Sequence, residues 1–290
     1  MLGLKINIGQ TYIKSSMILS VIIVLLVFLS LFISSFDAIT QAGKSMLSLE
    51  WNPPKEKYGI LSMLYGTFLV TLIALVISLP LGITTAIYTS EFINKKYRYF
   101  VKSFLELLAG IPSIIYGLIG IAFLAIWVQN IFDLQSGRSF FTAGILLAFM
   151  VLPVIISLVD DALQSIPKDY KEAASGLGLY KYEVIIKLLL PIAKPDIISA
   201  VLLGLGRAMG ETMAVMLVIG SIDKIPNPFY NLLTPGQTVT SKLGREIAEC
   251  AFGSLHFSVM IFMGLVLMVL VILCSLFAQR KSHINTRLYE

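Results

Sequence analysis

The sequence predicts an all-α integral membrane protein with six transmembrane helices and both termini in the cytoplasm. Three observations carry this. Of 290 residues, 57% are apolar and only 13% are charged, with a mean hydropathy of +0.87; an ordinary soluble domain holds about 25% charge. The few charges leave long uncharged runs, of the roughly 20 residues that a spanning helix needs. The lysines and arginines gather on alternate connections. Disorder is excluded, since it requires few apolar residues and much charge. A β-barrel is excluded because the apolar runs are continuous rather than alternating. A pI near 9.1 reflects basic loops of a membrane protein, and no nucleic-acid partner is expected.

Taken in order, the first span runs from Ser15 to Phe36. Its apolar run exceeds the 7–15 residues of a signal peptide and no small-residue cleavage site follows, so it reads as a permanent anchor. With the outer loop behind it, it forms an N-terminal segment, 1–57. Gly43-Lys44-Ser45 in that loop ends like a phosphate-binding loop, but the required earlier glycine is Ala38, and no nucleotide site is expected. The second span runs from Tyr58 to Ser90, the third from Leu107 to Phe132 and the fourth from Ser139 to Val159. The fifth, Ile197 to Ile222, is interrupted by Arg207 and Glu211, and the sixth runs from Cys250 to Gln279. A main unit, 58–279, is followed by a tail, 280–290. Fourteen lysines and arginines lie on the side of the termini, Lys5, Arg280, Lys281 and Arg287 among them, against seven on the other; this bias places both termini in the cytoplasm.

Glycines recur in the spans, and Gly206 with Gly210 forms a G-x-x-x-G that lets helices approach closely. Pro80, Pro112 and Pro153 are expected to kink or end their helices. Asp160 and Asp161 read as a charged cap at the membrane edge, and His256 as an interfacial or packed residue. Cys250 and Cys274 fit no disulfide framework or zinc spacing, and no metal or cofactor is expected. The outer segment from Asp223 to Glu249 reads as proline-rich turns followed by a short helix from Val239.

Two features carry function. The first is the cytoplasmic stretch from Asp160 to Asp196, too long for a simple connection. Within it, residues around Glu172, Ala173 and Ala174 favour a helix that Gly178 ends, and Tyr182 to Leu190 favour a second, up to Pro191. It reads either as a docking element for a cytoplasmic partner or as a solvated connector. The second is Gly204-Leu-Gly-Arg207-Ala-Met-Gly-Glu211-Thr-Met-Ala-Val215. At i and i+4, Arg207 and Glu211 can pair on one helical face. Each charge at mid-membrane costs at least about 2.5–3.5 kcal/mol. The pair is either a buried tie between helices or part of an anion path, for which the planar guanidinium is suited.

The cytoplasmic stretch resembles the EAA loop of ATP-binding-cassette importer permeases: Glu172-Ala173-Ala174, three residues, Gly178, nine residues, Leu188 where isoleucine is usual, then Leu190-Pro191. The string GRAMGETMAV at Gly206–Val215, together with Tyr65-Gly-Thr67, Thr71-Leu-Ile-Ala-Leu and Glu106-Leu-Leu-Ala-Gly-Ile-Pro-Ser113, resembles phosphate-importer permeases, PstC type more than PstA type. The resemblance covers about Tyr58 to Gln279. It implies a type I importer permease bundle in the inner (plasma) membrane of a bacterium or archaeon. It also implies a PstA-type second permease, a cytoplasmic PstB-type ATPase dimer and a PstS-type phosphate-binding protein as partners. By the same resemblance Arg207 and Glu211 take part in phosphate translocation, while Glu172, Ala173, Ala174 and Gly178 form the ATPase-coupling element. The chain is then a transport subunit and not an enzyme. Three other readings stay open on the residues: a permease for phosphonate, sulfate or molybdate, an integral-membrane enzyme, and an ATP-independent channel.

Overall fold

The computed structural model describes residues 2–286, with side chains from 10 to 276 apart from Lys95. Arg287 and the rest of the tail's end lie outside the described residues, as do the side chains of Lys5, Arg280 and Lys281. Fourteen α-helices are seen: α1 (Leu2–Ser34), α2 (Phe36–Gln41), α3 (Gly43–Met46), α4 (Leu61–Glu91), α5 (Lys95–Gly110), α6 (Ser113–Ile119), α7 (Ala125–Ile131), α8 (Phe140–Ser165), α9 (Lys168–Gly176), α10 (Lys181–Val184), α11 (Leu190–Gly210), α12 (Met213–Val218), α13 (Val239–Glu246) and α14 (Leu255–Thr286). A two-residue hairpin, β1 (Trp51–Asn52) and β2 (Lys57–Tyr58), lies between α3 and α4.

Six helical stretches among the described residues are long and apolar enough to cross a membrane: Gln10–Gln41, Leu61–Glu91, Ser113–Ile131, Phe140–Ser165, Lys181–Gly210 and Leu255–Leu276. Helices are the required form, because lipid offers no partner to backbone N–H and C=O groups. The bundle centres on α8, whose apolar length is the most buried of the six. It packs along α4, where Gly144 sits against Ile73 and Gly82 against Ile155. The first span packs against α14, and most of its described apolar residues before Ser35 are outward.

Glycine is required where helices meet backbone. A Cβ on Gly66 would stand 1.9 Å from the Gln237 carbonyl oxygen. One on Gly110 would meet nothing within 4 Å. Gly66→Ala is therefore expected to destabilise the protein by about 1–3 kcal/mol through forced displacement. Gly110→Ala is expected to be close to neutral. Thermal unfolding of both variants in detergent checks this, and equal melting temperatures would refute it.

Several boundaries depart from the sequence reading. The third span begins at Ser113, because Ile111-Pro112 is extended and separates it from α5. α5 is an amphipathic helix of its own, with Arg98, Val101, Lys102 and Leu105 turned inward and Tyr97, Tyr99, Phe100, Phe104 and Leu107 outward. α4 and α8 continue through Pro80 and Pro153, and of these three prolines only Pro112 stands at a helix boundary. The stretch from Asp160 to Asp196 is mostly helix rather than loop. α8 runs on to Ser165, and the fifth span begins at Lys181 and ends at Gly210.

Pro191 ends nothing. A π-helical turn at Ile185–Leu189 precedes it and joins α10 to α11 without a break. Such wide turns absorb the loss of a regular i→i+4 bond. Gly206 and Gly210 are not sites of unusually tight packing: a Cβ on Gly206 would meet Val271 of α14 at an ordinary 3.9 Å, and one on Gly210 would meet nothing within 4 Å. The tight approach on α11 is at Gly204, against Val151 and Ile155.

Candidate translocation path and coupling element

The fifth span ends at Gly210, and a break at Glu211 separates it from α12. α11 stops at Gly210, Glu211 is extended (φ −70°, ψ 124°), and α12 starts at Met213. The break explains why Arg207 and Glu211 do not form the helical i, i+4 pair that their spacing allows. They share no ion pair among the described residues. Glu211 caps α12 instead. Its Oε1 accepts from the Ala214 N–H at 3.3 Å, and its backbone carbonyl accepts from Thr240 Oγ1 at 2.7 Å. The carboxylate thus takes up one of the orphan donors that a helix start leaves.

Arg207 stands exposed in the last turn of α11, beside the buried face and within electrostatic reach of Tyr116. Gly204 and Ala208 are buried, whereas Leu203, Arg207 and Gly210 are exposed. The Arg207 side chain has no hydrogen bond or ion pair within the described residues. A guanidinium on such a face must meet water or another protein, since lipid at mid-span is costly.

Above the break the outer segment folds inward. Thr238 caps α13, as expected for a helix from Val239, and Val239 to Lys242 are all buried. The Val239 N–H donates to Thr67 Oγ1 of α4 at 3.0 Å, and the Tyr65 hydroxyl donates to the Phe229 carbonyl. Lys242, only 2% exposed, lies 2.5 Å from both Asp223 Oδ2 and Glu246 Oε1 and 4.8 Å from the Trp51 ring centre. Trp51 Nε1 donates to Glu246 Oε2 at 3.2 Å, and His256 packs against the Trp51 and Tyr58 rings. His256 is thus a packed residue, as its place at the start of the last span suggests. The Lys242 cluster escaped the sequence reading. The signal within reach was the i, i+4 spacing of Lys242 and Glu246 behind a Thr238 cap.

At the opposite end, α9 carries Glu172, Ala173 and Ala174. Ala174 is buried against the bundle, and Glu172 and Ala173 are exposed. α9 closes as the glycine position requires: Gly178 has φ +81°, and the Leu179 N–H bonds back to the Ala174 carbonyl in the pattern of a left-handed helix cap. Two lysines fasten the element to the end of α4. Lys171 Nζ is 2.5 Å from Glu91 Oε1; Lys181 Nζ donates to the Glu91 carbonyl at 2.5 Å and sits 4.3 Å over the Phe92 ring.

Asp160 is not an exposed cap. It is 4% exposed, 2.6 Å from Arg98 Nη2, and accepts from Thr89 Oγ1 at 3.1 Å. Asp161 pairs with Lys102 at 2.5 Å. The two aspartates thus hold α5 onto α8. The hydrogen bond to Asp161, with the nearby acidic charges, raises the Lys102 ammonium above its usual pKa against a smaller opposing effect of burial.

Residues 78–282 match the family described as "Binding-protein-dependent transport system inner membrane component". The chain is 37% identical over 265 residues to the phosphate transport system permease protein PstC of Mesorhizobium japonicum, covering 84% of this chain and 80% of that one. It is 36% identical over 227 residues to the probable ABC transporter permease protein YqgH of Bacillus subtilis, covering 78% and 72%. A solved bacterial ABC transporter involved in import of the polysaccharide alginate shares the fold. Its TM-score is 0.65 at 18% identity, covering 96% of this chain and 97% of that chain. The helical bundle is thus that of a type I importer permease, and the chain belongs to the family of binding-protein-dependent transport system inner membrane components.

Proposed function

We propose that this chain is the permease subunit of an ATP-driven phosphate importer, forming one half of the translocation path and coupling it to a separate ATPase. The observation that carries this reading is the break after the fifth span, with Arg207 held on the face that the chain leaves open. A path for an anion needs a cation that is reachable and not already neutralised by its own chain. The PstC relatives supply the identity of the anion. The other half of the path comes from a PstA-type permease, against the Arg207 face. A PstS-type binding protein delivers phosphate to the outer side, where α13 lies. Both termini face the cytoplasm, as the lysine and arginine bias indicates.

The chain needs a partner ATPase, since it has no nucleotide-binding motif. Glu172, Ala173, Ala174 and Gly178 form the docking element for a PstB-type dimer. The exposed Glu172 and Ala173 meet the ATPase, while Ala174 seats α9 on the bundle. Residues 58–279 are the transporting unit, 1–57 the anchor with its outer loop, and 280–290 a cytoplasmic tail.

Arg207 makes the transient contact with phosphate. Glu211 contributes by setting the break and by leaving negative charge beside the path, so that the anion is released.

The direct test is uptake of labelled phosphate by the reconstituted complex in the presence of unlabelled phosphate, sulfate, molybdate or a phosphonate. Only phosphate should compete at equal concentration. Equal competition by another oxyanion would overturn the substrate assignment.

A second expectation concerns docking. Gly178→Val forces a β-branched residue into a left-handed conformation, at a cost of about 1–2 kcal/mol. Co-purification of the ATPase with the permease should fall about tenfold, while the bundle itself stays folded. Undiminished co-purification would count against α9 as the docking element.

A further inference from the structure

The two ends of the molecule are joined by one helix. α4 spans Leu61–Glu91, about 46 Å at 1.5 Å per residue. At its cytoplasmic end every polar contact described for Glu91 except that with neighbouring Ser90 comes from the coupling region. The carboxylate, 11% exposed, takes Lys171 from α9, and the carbonyl takes Lys181 from α10. A carboxylate at a helix C-terminus is unfavourable on its own, because the macrodipole is already negative there. Two lysines brought from outside the helix offset it. The grip therefore depends on α9 and α10 keeping their place beside α4.

At its outer end α4 holds the inward-folded segment. Thr67 Oγ1 accepts the Val239 N–H, and Gly66 lies against the Gln237 backbone. From there α13 reaches the break after the fifth span through Thr240 Oγ1 and the Glu211 carbonyl. Close-packed contacts of this kind transmit displacement, because interiors shift between discrete packings rather than deform continuously.

We infer that Glu91 is a positioning residue through which the coupling helix grips α4, and that α4 in turn carries the motion to α13 and the break at Glu211. The inference rests on the proposed importer function and adds a residue to its coupling.

The test uses the full complex with its ATPase and binding protein in liposomes, following labelled phosphate uptake and ATP hydrolysis together. With Glu91→Gln, uptake should fall at least about tenfold, the scale set by one charge-assisted contact. ATP hydrolysis and co-purification of the ATPase should persist, so that more ATP is spent per phosphate. Glu91→Asp should recover part of the lost uptake. The exchange Glu91→Lys with Lys171→Glu should recover more than either change alone. Unchanged phosphate imported per ATP in Glu91→Gln, or equal loss in the exchange and in both single variants, would overturn the assignment. Failure of the unaltered complex to import phosphate would instead overturn the substrate reading and leave the ATP hydrolysis comparison to judge Glu91.

Discussion

Replacing Arg207 with Gln should cut phosphate uptake by the assembled complex roughly 10- to 100-fold, and the loss should lie in transport rather than in folding. The side chain is exposed in the chain and makes no hydrogen bond or ion pair among the described residues, so its removal leaves no buried partner unsatisfied. What is lost is a charge-assisted contact to the anion, of about 1.5–3 kcal/mol, or roughly 10- to 100-fold in rate. Arg207→Lys should fall between the two, because an ammonium keeps the charge but not the planar fork. Transport assays on purified complexes check both variants, with co-purification of the ATPase as the control for assembly. Wild-type uptake by Arg207→Gln would remove Arg207 from the path.

The largest effect on stability is expected from Lys242→Met. This lysine is buried between Asp223 and Glu246, over Trp51 of the hairpin, while Glu246 faces His256 at the start of the last span. Without it, the two carboxylates lose the ammonium that they share in a confined site. Removing one partner of a buried charge group typically costs about 3–5 kcal/mol; the lower part of that range applies here, since both carboxylates are partly exposed. The triple variant, with Asp223→Asn and Glu246→Gln added, should regain much of the loss. Its charges are gone together, and the penalty for an unpaired charge goes with them. Thermal unfolding in detergent distinguishes the cases. A single variant as stable as the wild type, or a triple variant no better than the single, would contradict this account.

Much of the bundle was legible in the sequence, because lipid imposes a simple rule: a span must be apolar over the hydrocarbon core and helical throughout. The number of spans, the helix at Glu172–Ala174 and its end at Gly178 followed from that rule and from glycine's freedom at positive φ. The lengths of the spans did not follow. The fifth span has 30 residues, about 45 Å of helix against roughly 30 Å of hydrocarbon. A helix of that length is longer than the apolar layer, and its first turns carry Lys181, Glu183 and Lys187, so a search for uncharged runs starts the span too late. α5 was hidden for a related reason. Its aromatic and basic residues suit an interface, and that composition is neither a span nor a loop.

The sequence by itself determined which residues are scarce and therefore informative: two charges in the apolar stretch from Ile197 to Ile222, a glycine at the end of the helix that carries Glu172, an apolar first span. Such facts are local, set by the cost of exposing a charge or a backbone group to lipid. Tertiary structure alone decided the partners. The spacing of Arg207 and Glu211 permits an ion pair, yet the helix breaks between them because the break is held from outside, by Thr240 on α13. Glu91, Lys171 and Lys181 are far apart in the chain and meet only when α4 and the coupling region pack together. Long-range pairing of this kind is fixed by the global packing of helices, and no local pattern of residues encodes it.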